Sequence, residues 1–235
     1  MGGSNNFKNV DNYSVLAKYY DSLLQDEDSL YLWLEYINKY TKGKDVLELA
    51  SGSGVMANLL KKEGFNVIAS DISKDMQEVA KTNFDGEYLI IDMTNFHLNK
   101  KFDLILCMVD SINYLSDYNQ IKSMFLNVYE HLKEGGVFIF DMHHKKRIEE
   151  FSDEYIEEGY VLDTPYQWTI QSDNENNCLY EHFAFYEEDG IINENHIQYI
   201  HDVNKLTDIM NKIGYKTRCI EDFIEDEKVL MIGER

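Results

Sequence analysis

The chain has 235 residues, and its 44% of hydrophobic residues is enough to form the core of one globular domain. Asp and Glu number 43 against 22 Lys and Arg, so the formal net charge of −21 disfavours binding to nucleic-acid phosphates. The N-terminal residues carry no basic stretch followed by an apolar run, and no apolar segment approaches the roughly 18 residues of a transmembrane helix. We therefore expect neither nucleic acid nor a membrane as a partner.

The three cysteines, Cys107, Cys178 and Cys219, are widely separated in the sequence. They form no C-x-x-C pair, and no H-x-x-x-H motif accompanies them. We expect reduced thiols, a cytoplasmic location and no bound metal.

The first predicted elements are helices within residues 12–40. Apolar side chains recur there at helical spacing, first Val15, Leu16, Tyr19, Tyr20, Leu23 and Leu24, then Leu30, Leu34 and Ile37. We expect these helices to cover one open end of the sheet that follows.

Between Asp45 and Asp141, short apolar runs alternate with amphipathic stretches, which is the pattern of repeated βαβ units. Each run is continuously apolar before a polar end, as is typical of strands buried on both faces of a parallel sheet. The predicted strands are Val46–Ala50, Val67–Asp71, Tyr88–Asp92, Leu104–Val109 and Val137–Asp141. The predicted helices between them are Val55–Glu63, Lys74–Thr82 and Asp117–Lys133.

After the fifth strand the pattern changes to alternating apolar and polar residues joined by the turn-like segments SDNENN and EEDG. This predicts an antiparallel insertion with strands Tyr166–Gln171, Cys178–Glu187 and Ile191–Ile200. A helix over Val203–Ile213 and strands over Tyr215–Ile220 and Lys228–Gly233 follow. We assign residues 1–150 and 201–235 to a sheet domain with its N-terminal helical cover, and residues 151–200 to an inserted lid.

The segment from Asp45 to Ala57 is a strand, a tight glycine turn and a helix in that order. A side chain at Gly52 or Gly54 would occupy space that a ligand needs, so both glycines indicate close approach of a ligand to the backbone. Together with Ala57 they also satisfy G-x-G-x-x-A, so the turn is open to interpretation as the dinucleotide site of an NAD-dependent oxidoreductase.

Acidic residues mark the ends of the predicted strands. Asp71 ends the second strand 19 residues after Gly52, where a carboxylate can accept hydrogen bonds from both hydroxyls of a ribose. Asp92 ends the third strand, where it can accept from the exocyclic amine of an adenine or cap the next helix. Glu48, within the first strand, adds a carboxylate that suits a cationic ligand.

The chain resembles the class I S-adenosylmethionine-dependent methyltransferases in motifs that follow that family's order. They are Val46–Gly54 (VLELASGSG), Ser70–Ser73 (SDIS), Ile91–Met93 (IDM), Phe102–Ile105 (FDLI) and Leu132–Phe138 (LKEGGVF). The resemblance implies an α/β fold, with a Rossmann-like sheet of seven strands whose last strand is antiparallel. Ser51 stands where the family usually has cysteine, a small change in size.

The resemblance also implies a set of residues that hold S-adenosylmethionine. They are Glu48, Ala50, Gly52 and Gly54 at the methionine and ribose end, Asp71 and Ile72 at the ribose and adenine, Asp92 and Met93 at the adenine edge, and Cys107 and Met108 beside the methionine. Lys18–Leu23 (KYYDSL) resembles the Y-D-x-L helix of a bacterial subgroup in which the tyrosine reaches the cofactor. Tyr20 is therefore a candidate, with packing in the core as the equal alternative.

The insertion resembles the lid of small-molecule and sugar-amine N-methyltransferase-like proteins. In-line transfer of a sulfonium methyl group chiefly needs a nucleophile held near attack geometry, so a general base is optional. If one is used, His143 is the best-placed imidazole, because it follows the fifth strand at the ligand-binding edge of the sheet. We expect Asp110 and Asn113 to orient substrate or cofactor, and His196 to meet the substrate or to be structural.

Three functions are open on the sequence. The first is methyl transfer from S-adenosylmethionine to a nitrogen or oxygen of a small-molecule acceptor. The second, an NAD-dependent oxidoreductase, predicts a second nucleotide-binding half and a Tyr-x-x-x-Lys or His pair, neither of which follows residue 142. The third is a non-catalytic protein that binds S-adenosylmethionine. The 17 tyrosines could serve the lid or a homodimer face.

Overall fold

The computed structural model describes residues 13–24, 27–223 and 228–235. Its helices are α1 (Tyr20–Leu24), α2 (Glu27–Tyr40), α3 (Val55–Lys62), α4 (Lys74–Asn83), α5 (Tyr118–His131), α6 (Lys146–Glu150) and α7 (Val203–Ile213), with 3₁₀ turns at Leu16–Lys18 and Ser111–Tyr114. Its strands are β1 (Asp45–Leu49), β2 (Asn66–Asp71), β3 (Glu87–Ile90), β4 (Phe102–Cys107), β5 (Leu132–His143), β6 (Tyr155–Val161), β7 (Thr164–Asp173), β8 (Cys178–Glu187), β9 (Gly190–Tyr199), β10 (Lys216–Phe223) and β11 (Lys228–Glu234). Of the predicted helical cover, residues 12 and 25–26 lie outside the described residues.

The main sheet has seven strands in the order β10-β11-β5-β4-β1-β2-β3. Strands β1 to β5 are parallel, and β11 runs antiparallel to β5, which confirms the predicted fold. Val46 in the centre of the sheet pairs with Val67 on one side and Leu104 on the other. The strand order reverses between β1 and β4, so a crevice for ligands forms at the carboxyl edge there.

Helices pack on both faces of this sheet. Helix α5 begins at the Asp117 side chain, which accepts from the N–H groups of Asn119 and Gln120 at 2.7 and 3.0 Å. Its predicted apolar face is fully buried in the same core cluster as residues of β4, β5 and α7. On the other face, Trp33 of α2 and residues of α3 form a second core.

The insertion is a separate antiparallel sheet in the order β6-β7-β8-β9. Three of its strands match the predicted ones, whereas β6 is absent from the prediction. Strand β6 is an edge strand whose side chains are mostly exposed, so its sequence lacks the alternation that marks a half-buried strand. None of the described helices is long and apolar enough to cross a membrane.

Candidate cofactor and acceptor site

A cavity of about 260 Å³ lies at the carboxyl edge of the main sheet, beside the glycine turn that follows β1. Helices α1 and α2, the end of β2 and the loop after β4 complete its walls. The predicted residues that line it are Tyr20, Glu48, Ala50, Gly52, Asp71, Ile72, Met93 and Met108. The structure thus brings most of the predicted cofactor residues together in one place.

The two glycines of the turn serve different purposes. Both have left-handed backbones, with φ of 54° at Gly52 and 77° at Gly54. A Cβ on Gly52 would meet only the Tyr20 side chain, at 3.9 Å, beside the cavity. A Cβ on Gly54 would lie 3.1 Å from the Phe84 Cβ and 3.3 Å from the Ala80 Cβ. Gly54 therefore lets α3 approach α4 and does not line the cavity, and its role in holding the cofactor stays a prediction.

Asp71 joins the glycine turn to the start of α4 at the cavity wall. Its Oδ2 accepts from the Gly52 N–H at 3.0 Å, and its Oδ1 accepts from the Ser73 N–H at 2.8 Å. Ser73 in turn caps α4 by accepting from the Met76 N–H. Burial raises the pKa of Asp71, against the effect of these backbone hydrogen bonds.

Glu48 is a buried carboxylic acid with no cationic partner among the described residues. Burial raises its pKa to about 8, and the hydrogen bond from the Ser51 hydroxyl, 3.0 Å long, acts in the opposite direction. Ser51 therefore does more than fill the usual cysteine position. A buried acid without a counter-ion is suited to a ligand that carries a positive charge.

Three predicted cofactor residues do not line the cavity, namely Gly54, Asp92 and Cys107. Asp92 lies beyond the end of β3 and is exposed, and its Oδ1 accepts from the N–H and hydroxyl of Thr94 at 2.8 and 2.7 Å. Its carboxylate thus closes a local turn. Cys107 is fully buried, with its Sγ 4.0 Å from the Met93 Sδ.

The two tyrosines of the KYYDSL segment have different surroundings, with Tyr19 in the core and Tyr20 at the cavity. Tyr19 is fully buried and stacks on Phe185 of the lid with ring centroids 4.2 Å apart. Tyr20 lines the cavity, and its ring meets Tyr13 edge-on at 5.7 Å.

The cavity also contains residues that sequence reasoning missed, among them Tyr13, Tyr114 and Lys228. Tyr114 lies in the loop that contains Asp110 and Asn113, which the sequence predicts to orient substrate or cofactor. Its position in that loop is the one sequence feature that could have indicated it. Tyr13 and Lys228 belong to no motif.

Lys228 is held at the cavity wall by two buried carboxylates. Its Nζ lies 2.7 Å from Asp110 Oδ2 and 3.3 Å from Asp141 Oδ2. Burial disfavours the charged form of all three groups, and it raises the pKa of Asp141 to about 7. The attraction of opposite charges outweighs burial at the other two, so the pKa of Asp110 is lowered and that of Lys228 is raised.

Asp110, Asn113 and His143 lie behind the cavity wall and do not line it. The Asn113 Nδ2 donates to the Tyr199 carbonyl at 2.6 Å, and its Oδ1 accepts from the His143 N–H at 3.1 Å. The His143 Nε2 lies 2.6 Å from the Gln198 Oε1. These contacts join strand β9 of the lid to the main sheet.

No group of three or more His, Cys, Asp or Glu side chains in the described part of the chain is arranged to hold a metal ion.

Comparison with known proteins agrees with this geometry. A family model described as "Methyltransferase domain" matches residues 46–136. YqeM of Bacillus subtilis (strain 168), a provisionally named methyltransferase, is 25% identical over 229 residues, which is 92% of this chain and 91% of that protein. The crystal structure of an S-adenosylmethionine-dependent methyltransferase from Clostridium acetobutylicum ATCC 824 has a TM-score of 0.76 and 24% identity, covering 93% of this chain and 97% of that one.

These comparisons confirm the prediction of an S-adenosylmethionine-dependent methyltransferase, because residues 46–136 match a methyltransferase domain and the whole fold is shared with such an enzyme. The methyltransferase also shares its fold with the sugar N-methyltransferase KedS8 from Streptoalloteichus sp. ATCC 53650, with a TM-score of 0.81 and 16% identity over 100% of this chain and 98% of that one. The NAD interpretation of the glycine turn is wrong. The described residues after 142 form α6, the inserted antiparallel sheet, α7 and the two last strands, and no second nucleotide-binding half.

The cavity of the methyltransferase fits S-adenosylmethionine on its own chemistry. Asp71 offers a carboxylate for hydroxyl groups, Glu48 offers an acid without a counter-ion for an amino group, and Gly52 leaves backbone accessible. The side chains of Ile72 and Met93 would lie against an adenine. When bound, S-adenosylmethionine supplies an electrophilic sulfonium methyl group.

Proposed function

We propose that the methyltransferase transfers the methyl group of S-adenosylmethionine to an amine nitrogen of a small molecule bound beneath the lid. The observation that carries the proposal is the wall of the cavity beside the lid. It is formed by tyrosine hydroxyls, and carboxylates lie around them.

The small size of the acceptor is supported by the way the N-terminal segment is tied to the lid. Glu194 of β9 accepts from the N–H groups of Tyr13, Val15 and Leu16 at 2.7, 2.6 and 2.9 Å. Glu187 of β8 accepts from the Lys18 ammonium at 2.7 Å. These bonds hold the N-terminal segment, whose Tyr13 lines the cavity, against β8 and β9. The net charge of −21 opposes approach of a nucleic acid.

The choice of nitrogen is supported by the charges near this wall. Glu181 of β8 accepts a hydrogen bond from the Trp168 Nε1 at 3.2 Å and contacts no cation in the described part of the chain. Burial, and after it the charge of Glu181, raises the pKa of the Tyr114 hydroxyl. This electrostatic environment favours a ligand that is, or becomes, positively charged. The structural relative from Streptoalloteichus is named as a sugar N-methyltransferase, which supports the same choice.

The roles of individual residues are part of the proposal. Tyr20, Glu48, Ala50, Gly52, Asp71, Ile72, Met93 and Met108 would contact the cofactor, because they line one cavity. The free state of the three cysteines supports a cytoplasmic location. The lid boundaries at 151 and 200 and a homodimer stay predictions.

The test has two steps. Thermal unfolding with S-adenosylmethionine, S-adenosylhomocysteine and NAD should show a rise in Tm with the adenosyl compounds only. Release of S-adenosylhomocysteine is then measured with D-glucosamine and UDP-glucosamine, each paired with its hydroxyl counterpart, D-glucose and UDP-glucose. Turnover of an amine but not of its counterpart supports the proposal. Turnover of the hydroxyl compounds would assign O-methylation, and turnover of neither pair would exclude amino sugars as acceptors.

A further inference from the structure

A chain of four hydrogen-bonded side chains leads from the cavity wall into the lid. The Tyr13 and Tyr114 hydroxyl oxygens are 2.7 Å apart, and the Tyr114 Oη is 3.0 Å from the His196 Nδ1. The His196 Nε2 is 2.7 Å from the Glu194 Oε1. The two tyrosines line the cavity, whereas His196 and Glu194 are only 2% and 3% exposed.

The direction of each hydrogen bond follows from Glu194. Burial raises the pKa of Glu194, but the bonds from His196 and from the backbone of Val15 and Leu16 outweigh it, so the pKa is lowered and the group is ionised. A carboxylate only accepts, so the His196 Nε2 must donate. In the neutral ring Nδ1 then carries the lone pair and accepts from Tyr114.

The same reasoning extends to the cavity. Because the Tyr114 proton points to His196, the Tyr114 oxygen accepts the proton of Tyr13. The oxygen lone pairs of Tyr13 are left at the cavity end of the chain. Burial raises the pKa of both phenols well above the ordinary value, so neither holds a negative charge at neutral pH. The tyrosines can therefore pass a proton on but cannot act as phenolate bases.

We propose that Tyr13 and Tyr114 conduct a proton from the acceptor to His196. The acceptor loses this proton during methyl transfer, and Glu194 stabilises the imidazolium that forms. The inference rests on the proposed function, because that function supplies the acceptor. The acceptor lone pair forms the bond to the methyl carbon, and the electron pair of the broken C–S bond stays on sulfur. The N–H proton moves to the Tyr13 oxygen, the Tyr13 proton moves to Tyr114, and the Tyr114 proton moves to the His196 Nδ1. The surplus proton leaves by the same path after the product.

The groups that face His196 favour this role. Glu194 lies on its own strand, the charge of Glu181 reaches it from β8, and Tyr114 and Tyr13 face it from the 3₁₀ turn and the N-terminal segment. The Tyr13 ring centroid is 4.8 Å from that of His196. Both carboxylates stabilise a positive ring.

His143, the imidazole expected from the sequence to act as a base, has no comparable path. Its Nε2 contacts Gln198, and its Nδ1 has no hydrogen-bond partner in the described part of the chain, lying 3.5 Å from the Asp110 Oδ1. His143 is therefore a matched control, a second buried histidine that contacts β9.

The first test needs no acceptor. The methyltransferase is labelled with ¹³Cζ-tyrosine and ¹⁵N-histidine, and its NMR signals are followed from about pH 5 to about pH 9, the range in which histidine titrates. We expect His196 to carry its proton on Nε2 at high pH, and the Tyr13 and Tyr114 signals to change together with those of the His196 ring. In Tyr114→Phe, the proton on the His196 Nε2 should remain while the Tyr13 signal no longer changes with those of the His196 ring.

Two variants control for general effects. Tyr31→Phe makes the same change on an exposed tyrosine, and His143→Gln removes the other buried imidazole, so both should leave the coupling between His196 and Tyr13 intact. A Tyr13 signal that ignores His196 in the unmodified protein, or a proton on Nδ1 at high pH, would overturn the proposal.

The second test measures turnover of UDP-glucosamine. Tyr114→Phe and His196→Gln should lower kcat by about 10- to 100-fold, below the full effect of general-base catalysis because an amine is already a nucleophile. The Tm rise with S-adenosylmethionine should persist in both variants. An unchanged kcat in Tyr114→Phe would contradict the relay. If UDP-glucosamine is not methylated at all, the proposed acceptor is wrong, and the NMR result still decides whether the proton path exists.

Discussion

The Asp71 carboxylate accepts a hydrogen bond from the Gly52 N–H at 3.0 Å and thereby connects the ends of two neighbouring strands. The same carboxylate accepts from Ser73, so one side chain fixes both the glycine turn and the first turn of α4. A residue proposed to hold the cofactor thus also stabilises the local structure.

Replacing Asp71 by Asn should separate this methyltransferase from its cofactor. The variant keeps one acceptor oxygen for two N–H groups, that of Ser73 buried and that of Gly52 partly buried, which should cost about 1–3 kcal/mol of the free energy of unfolding. The rise in Tm with S-adenosylmethionine should be lost or much reduced, as measured by thermal unfolding. Asp92→Asn is the control, because this exposed acid closes its own turn and should leave the ligand-induced Tm rise intact.

Alanine at the two glycines of the turn should have different effects, mainly on stability at Gly54 and mainly on cofactor affinity at Gly52. Gly54→Ala places a methyl group against Phe84 and Ala80 and should reduce the free energy of unfolding by about 1–3 kcal/mol, while the folded protein still binds S-adenosylmethionine. Gly52→Ala meets only Tyr20, so it should cost less stability and weaken cofactor binding more. Urea unfolding and calorimetric titration with S-adenosylhomocysteine measure the two effects. Equal loss of affinity in both variants would contradict this division of roles.

The cofactor half of the site was predictable because its determinants are local in sequence. A glycine turn after an apolar strand, and an acid 19 residues later, meet at one sheet edge in any fold of this kind. The same rules predicted Cys178–Glu187 and Val203–Ile213 with the bounds that the structure shows. Asp92 closes its own turn in the structure, and a strand-end acid of this kind has the same sequence signal as one that faces a ligand.

The acceptor half could not be predicted because it is assembled from distant segments. Tyr13, Tyr114 and Lys228 come from the two ends and the middle of the chain, and only tertiary contacts bring them to one cavity. The hydrogen bond between the Tyr13 and Tyr114 hydroxyls spans 101 residues of sequence, which no local pattern records. His196 looked like one isolated strand histidine for the same reason.

Glu48 should make the methyltransferase less stable as the pH rises. Its pKa is about 8 in the folded protein against an ordinary value of 4.5, so the native state holds a proton that the unfolded state releases between these values. The Glu48→Gln variant lacks this titration. The difference in free energy of unfolding, Glu48→Gln minus unmodified protein, should therefore grow as the pH rises from about 5 to about 8. One pKa unit corresponds to about 1.4 kcal/mol, so the difference should reach a few kcal/mol. Urea unfolding across this range measures the difference, and Glu63→Gln on the surface should show no such trend.

Replacing Lys228 by Met should leave two neighbouring buried carboxylates without the lysine cation between them. Removing one partner of a buried ion pair typically costs about 3–5 kcal/mol, and here both Asp110 and Asp141 lose their cation. Without the cation the pKa of Asp110 should rise and that of Asp141 should rise further, so the variant binds protons that the unfolded chain has released and loses stability as the pH increases. Urea unfolding should therefore show the largest deficit above about pH 8 and a smaller one near pH 5. Lys18→Met is the control, because it removes the cationic partner of Glu187 from a side chain that is 61% exposed. It should lower the free energy of unfolding by less than about 1 kcal/mol at either pH. A deficit in Lys228→Met that is small, or that does not depend on pH, would show that the two carboxylates do not need this cation.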